Sequence, residues 1–248
     1  MRAVLNHIRS LRDQGKKGFA ILVDPDKVLP AEVTTLAQRI NQAGIDFVFV
    51  GGSLLVNDHI RQVVPQLRQQ CQAPVVLFPG NVLQITDTAD ALLFLSLISG
   101  RNPEMLIGNH VLAAPHLKQS GMEVIPTGYM LIDTGRVTAV NYMSNTRPIP
   151  YDKVDIAACT AMAGELLGLQ LIYLDGGSGA AKTISTEMIS AVAGSIDIPL
   201  IVGGGIRSKK QAADILKAGA DLIVIGNALE ENTDSPLILD IPELIATF

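Results

Sequence analysis

The chain has no tryptophan, and aromatic residues make up only 4% of it, so its core must be built from aliphatic side chains. Cysteine is almost absent too. Cys71 and Cys159 lie at no ligand spacing from each other or from a His, which argues against a disulfide framework and a zinc site. Both are expected to be buried, apolar thiols in a reducing compartment. Charge is sparse at 17%, and the net charge of −5 leaves no basic field to attract nucleic acid or an anionic bilayer. An anionic substrate would have to be held by local dipoles and a metal. Long uncharged apolar runs are missing: residues 91–98 cover about half of the ~20 needed to span a bilayer. The first 17 residues are polar with interspersed apolar positions, unlike a signal peptide. A soluble, cytoplasmic protein is expected.

What is present is an aliphatic pattern of one kind, repeated. Hydrophobic residues make up 48% of the 248, the balance required by parallel strands covered on both faces. Short β-branched runs at 19–23, 47–50, 75–78, 91–97, 123–127, 171–174, 200–202 and 222–225 alternate with segments of helical period. Eight such runs predict right-handed βαβ units and a (β/α)8 TIM barrel, a single domain over 1–248. An open doubly wound sheet is the structural rival.

Helix signals agree: Pro30 at a first helical position, Asn102-Pro103 as a start, and Ser208 with Gln211 as a capping box stopped by Gly219. Gly121 and Gly128 read as a turn and a close packing point. An internal repeat also favours the barrel. AGIDFVFVGGS (43–53) and AGADLIVIGNA (218–228) share Ala-Gly-x-Asp, four apolar residues and Gly. Residues 133–150 are polar, turn-rich and too long for an ordinary connection, so they form either a substrate cover or a passive surface excursion.

Glycine is concentrated where the last strands end. Tyr173-Leu174-Asp175-Gly176-Gly177-Ser178-Gly179 follows the sixth strand, Gly203-Gly204-Gly205 the seventh, and Gly226-Asn227 the eighth. Each cluster alone could serve a tight turn. Together they read as a phosphate cradle, because backbone N–H groups without Cβ atoms approach an anion closely and loops after strands seven and eight commonly form that site. Such a cradle needs no Lys or Arg.

Across the ring, Asp24 ends the first strand and Ser53 follows the second. A carboxylate and a hydroxyl, completed by water and substrate oxygens, suit Mg2+, although Asp24 before Pro25 also reads as a turn former. Asp26 and Lys27 are assigned to the turn and the surface. His7, His59, His110 and His116 do not cluster and are given no chemistry.

On AILVDPDK (20–27), FVGGS (49–53), FLSLISGRNPEMLIGNH (94–110), EVIPTGYMLID (123–133), PIPYDK (148–153), YLDGGSG (173–179), GGGI (203–206) and IGNAL (225–229), the chain resembles the geranylgeranylglyceryl phosphate synthase family, including its bacterial members. The SGRNP, PTGY and PIP elements in this order are its specific part.

The resemblance implies a barrel modified around its third and fifth helical segments. It also implies an Mg2+-dependent ether-forming prenyl transfer to sn-glycerol 1-phosphate. The prenyl diphosphate is expected to be C20, with a C35 donor as alternative, and so is a homo-oligomer with transient membrane contact. Asp24 and Ser53 would then hold Mg2+ and the diphosphate. Tyr173 to Gly179, Gly204, Gly205, Gly226 and Asn227 would hold glycerol phosphate, and Tyr129 would be either a mobile aromatic beside the prenyl channel or a packed structural residue. The family commonly has Glu where this chain has Asp175, which would be the base or anchor for the glycerol hydroxyl. A phosphosugar-type isomerase and a non-catalytic lipid-binding barrel are the competing functions.

Overall fold

The computed structural model describes residues 3–57, 59–226 and 237–248. Asn227 therefore lies outside the described residues. Eight parallel strands pair in sequence order and close on themselves: β1 (Gly18–Val23), β2 (Phe47–Val50), β3 (Val75–Leu77), β4 (Ala91–Leu97), β5 (Glu123–Leu131), β6 (Leu171–Asp175), β7 (Leu200–Gly203) and β8 (Leu222–Ile225). This is the (β/α)8 barrel expected from the pattern. It rules out the open sheet.

Helices α1 (Ala3–Asp13), α2 (Val33–Ala43), α3 (Ile60–Gln70), α4 (Asn109–Ser120), α5 (Ala139–Ser144), α6 (Val154–Leu166), α7 (Thr186–Ala193), α8 (Lys209–Lys217) and a C-terminal helix (Leu237–Ile245) surround it. Among the described residues, none is long and apolar enough to cross a membrane. The two irregularities fall after β3 and β5. A 3-10 turn, Val82–Gln84, is the only helical element between β3 and β4 among the described residues, and both α5 and α6 follow β5.

Strand alternation divides the core in two. Leu171 and Tyr173 of β6 face the barrel interior with Phe47, Phe49, Leu93 and Tyr129, while Ile172 and Leu174 face the helices. Several of the scarce aromatics meet inside: Phe78 stacks on Tyr173 (5.2 Å, 27°) and Tyr129 meets Tyr173 edge-on (5.6 Å, 86°). Helix α1 closes the far end through Val4, Leu5 and Ile8. Its first turn is capped from β5, where the Glu123 carboxylate accepts the N–H groups of Val4 and Leu5, each at 2.9 Å.

The repeat has a mechanical meaning. Asp46 accepts the N–H of Phe19 (2.8 Å) and Asp221 that of Leu200 (2.9 Å), so each Asp fixes the start of the preceding strand. The glycine before each turns the chain out of its helix, with φ of 65° at Gly44 and 119° at Gly219.

Three details differ from the sequence reading. β5 runs on to Leu131, beyond residue 127, because Met130 and Leu131 still pair with β6. Ser208 caps α8 by accepting Gln211 N–H at 3.2 Å, but Gln211 Oε1 accepts from Arg207 N–H (2.8 Å) where a capping box would return to Ser208. Cys71 is half-buried, its thiol pushed up to about 11 by burial, while Cys159 is exposed on α6. The expectation of two buried thiols is met only in part by Cys71 and fails for Cys159, whose face of α6 is open.

Candidate active site

Two cavities open at the C-terminal ends of the strands, and one pair of side chains joins them. The first is the more polar of the two and is lined by Tyr173, Asp175, Gly177, Ser178, Gly179, Gly204, Gly205 and Gly226, among others. Its turns require glycine. Gly177, Gly179, Gly204 and Gly205 have φ of 80°, 72°, 83° and 74°, and a Cβ on Gly204 would stand 2.9 Å from both Asp175 Oδ1 and Gly177 N.

Of the residues expected here, Leu174 does not line the cavity: it faces the helices, as alternation after Tyr173 dictates. Gly176 also lies behind it, its N–H donating to Gly203 O at 3.0 Å and its carbonyl accepting from Thr134 Oγ1 at 3.1 Å.

The cradle, expected to need no Lys or Arg, has two arginines close to it. Arg207 lines it, and Arg136 Nη1 lies 3.8 Å from the position of a Cβ on Gly179. Neither had a sequence signal, because Arg136 comes from the 133–150 segment and Arg207 from the turn before α8.

The second cavity is a long apolar groove running from Gly52, Ser53 and Gly80 past Tyr129 to Leu92, Phe94, Met105 and Ala113. It occupies the gap left where a regular helix after β3 is missing. The 133–150 segment is its cover, since Val140, Met143 and Ser144 of α5 line it. The segment is therefore more than a passive surface excursion, because its helix forms part of the groove wall. His110, given no chemistry from sequence, also lines the groove. It is buried edge-on to Phe94 (4.3 Å, 90°), Nδ1 has no partner, and burial holds its pKa below the usual value.

Between the cavities, the Tyr129 hydroxyl donates to Asp175 Oδ2, and Gly177 N–H donates to Oδ1 at 2.8 Å. Register explains the pair: Tyr129 lies opposite Tyr173 and Leu131 opposite Asp175, so Tyr129 and Asp175 share one interior face two residues apart. Asp175 is 8% exposed. Burial raises its pKa above the ordinary carboxylate range, and the hydrogen bonds from Tyr129 and Gly177 offset this only in part. Burial and the neighbouring carboxylate push both phenols, Tyr129 and Tyr173, well above 10, so they stay protonated.

At the groove mouth, Asp24 Oδ1 accepts from Asp26 N–H (3.0 Å) and stands 3.6 Å from where a Cβ on Gly52 would be. Lys27 Nζ lies 3.5 Å from its Oδ2. Asp26 does more than serve its own turn, the role expected of it: its carboxylate accepts from the N–H groups of Val56 and Asn57 in the loop after β2. Among the described residues, no three His, Cys, Asp or Glu side chains converge as a metal cage. The donors present fit a cation that takes one carboxylate and one hydroxyl and completes its shell with water and substrate oxygens.

The comparisons agree with this geometry. A family model described as the PcrB family matches residues 11–242. A protein named geranylgeranylglyceryl phosphate synthase from Chitinophaga pinensis is 54% identical over 230 residues, 93% of this chain and 91% of that one. One of the same name from Methanosphaera stadtmanae is 37% identical over 93% of both chains. The crystal structure of (S)-3-O-geranylgeranylglyceryl phosphate synthase from Thermoplasma acidophilum, in complex with substrate sn-glycerol-1-phosphate, superposes with a TM-score of 0.93 at 31% identity, covering 100% of each chain. By the extent of these matches, the chain belongs to the PcrB family, together with relatives named geranylgeranylglyceryl phosphate synthase.

Proposed function

We propose that this chain forms an ether by transferring a geranylgeranyl group from its diphosphate to the free primary hydroxyl of sn-glycerol 1-phosphate. The observation that carries this reading is the Tyr129–Asp175 pair, which stands where a glycine-lined polar cavity meets an apolar groove. A phosphorylated polyol suits the first cavity and a polyprenyl chain the second. The hydroxyl oxygen bonds to C1 of the prenyl chain as the C1–O bond to diphosphate breaks, and the diphosphate leaves with the electron pair.

Asp175, kept basic by burial, takes the hydroxyl proton. Tyr129 holds that carboxylate in place, and the Asx-type turn to Gly177 keeps its second oxygen aimed at the cradle. Phe78 and Tyr173 keep water from the reacting carbon. Arg136 and Arg207 add charge for the phosphate. Asp24 and Ser53 would hold Mg2+, which when bound neutralises charge on the leaving diphosphate.

The test is incubation with Mg2+, labelled sn-glycerol 1-phosphate and C20 or C35 diphosphates. A C20 ether is expected to dominate. No ether with either donor would refute the function, and a C35 product alone would refute the chain length.

Asp24 gives a separate expectation. Asp24→Ala should lower kcat/KM roughly 100-fold and raise the Mg2+ concentration at half-maximal rate, since a bound metal supplies several kcal/mol of charge stabilisation. Thermal stability should hardly change, because the ion pair to half-exposed Lys27 is worth little. An unchanged Mg2+ dependence in steady-state kinetics would remove Asp24 from the metal site.

A further inference from the structure

The Ser-Gly-Arg-Asn-Pro element at 99–103 belongs to the specific part of the resemblance, yet none of its side chains enters either cavity. Its contacts converge instead on the connection from β5 to α6. Ser99 Oγ accepts the N–H of Leu131 at 2.9 Å. A Cβ on Gly100 would come within 2.5 Å of Thr146 Cγ2, so Thr146 is seated directly on that glycine. Asn102 Nδ2 donates to the carbonyl of Ser144 at 2.7 Å, while its Oδ1 accepts the N–H of Glu104 at 3.1 Å.

The connection so held is the one that walls the apolar groove. It leaves and rejoins the barrel at one point, where Asp133 N–H donates to Ile149 O (2.8 Å) and Ile149 N–H to Leu131 O (2.9 Å). Between these, Thr138 rests on Gly177, and Val140, Met143 and Ser144 of α5 close the apolar groove. Helix α5 has six residues, far fewer than an isolated helix needs to persist. Ser144 is its last residue, and the carbonyl there lacks an intrahelical partner. The amide of Asn102 supplies one.

We propose that Asn102 is a positioning residue for the prenyl donor: by hydrogen-bonding the C-terminus of α5 it holds Met143 and Val140 against the groove. The proposal rests on the reading of that groove as the prenyl subsite. The two functions of the Asn102 side chain separate by substitution. Asn102→Asp keeps the acceptor for Glu104 and loses the donor to Ser144, setting a carboxylate oxygen against a carbonyl. Asn102→Ala loses both.

Isothermal titration of the intact protein in Mg2+ with geranylgeranyl diphosphate, and separately with sn-glycerol 1-phosphate, tests this without turnover. Both variants should bind the donor about tenfold more weakly and the acceptor within twofold of wild type. Thermal unfolding checks that both variants are folded. Wild-type donor affinity in Asn102→Asp would overturn the proposal, leaving only the start of the following helical turn as the role of Asn102. Equal weakening toward both ligands would also overturn it, as general loosening. Failure of the overall function would show differently, as absence of ether product from a wild type whose donor binding still depends on Asn102.

Discussion

Asp175→Asn is expected to lower kcat by about 10²- to 10⁴-fold, the range that a positioned general base contributes. The amide keeps the volume of the carboxyl and can still accept one of the two hydrogen bonds, from Tyr129 or from Gly177, so the site stays assembled. What it loses is the lone pair that takes the hydroxyl proton. Near-normal turnover in a folded variant would exclude Asp175 as the base.

The pH profile gives a second check. Only the ionised carboxylate is competent, so kcat/KM should rise with pH and level off above an apparent pKa higher than that of an ordinary Asp, because burial raises it. That limb should vanish in the Asn variant.

Stability should move the other way. A carboxyl whose folded pKa is raised stabilises the protein fully below its unfolded value, near ~3.9, and loses that contribution as pH rises through the folded value. The melting temperature of Asp175→Asn relative to wild type should therefore increase between pH 4 and pH 7. A constant difference would mean that Asp175 does not carry the buried charge assigned to it.

The barrel was legible because aliphatic runs of strand length recur eight times, and the two poles because chemistry gathers where strands end. Glycine clusters are visible in sequence since only glycine accepts the turns that Gly177, Gly204 and Gly205 make. Asp175 was legible by resemblance, but its partner was not visible as a pair. Tyr129 and Asp175 are 46 positions apart and meet only because β5 and β6 align in register. Arg136 and Arg207 were invisible for a related reason. Charged residues on loops follow no period: Arg136 nears Gly179 only because the connection after β5 folds back, and Arg207 reaches the cradle from the loop after β7. His110 read as an unremarkable packed residue until the missing helix after β3 left it on a groove wall. Leu174 was included by its neighbours, although strand alternation already points it away.

The sharpest test of the cradle is Gly204→Ala, expected to raise the KM for sn-glycerol 1-phosphate about 100-fold with donor affinity unchanged within twofold. Two costs combine. At φ +83° an L side chain is strained by roughly 1–2 kcal/mol. The added methyl would also stand 2.9 Å from Asp175 Oδ1 and Gly177 N and 3.0 Å from Gly176 N, so the turns of β6 and β7 must separate. Separation moves the Gly177–Gly179 backbone that would face the phosphate and shifts the carboxylate that faces the hydroxyl.

Gly168 supplies the control. It has φ +90°, nothing lies within 4 Å of its Cβ position, and it sits between α6 and β6, outside both cavities. Gly168→Ala therefore carries the same backbone strain without the steric clash. Thermal unfolding should show a loss of a few degrees in both variants, while steady-state kinetics should show the acceptor defect only in Gly204→Ala. If Gly168→Ala lost acceptor binding equally, strain and not the shape of the cradle would be responsible, and the glycerol phosphate would have to be placed elsewhere on the barrel mouth.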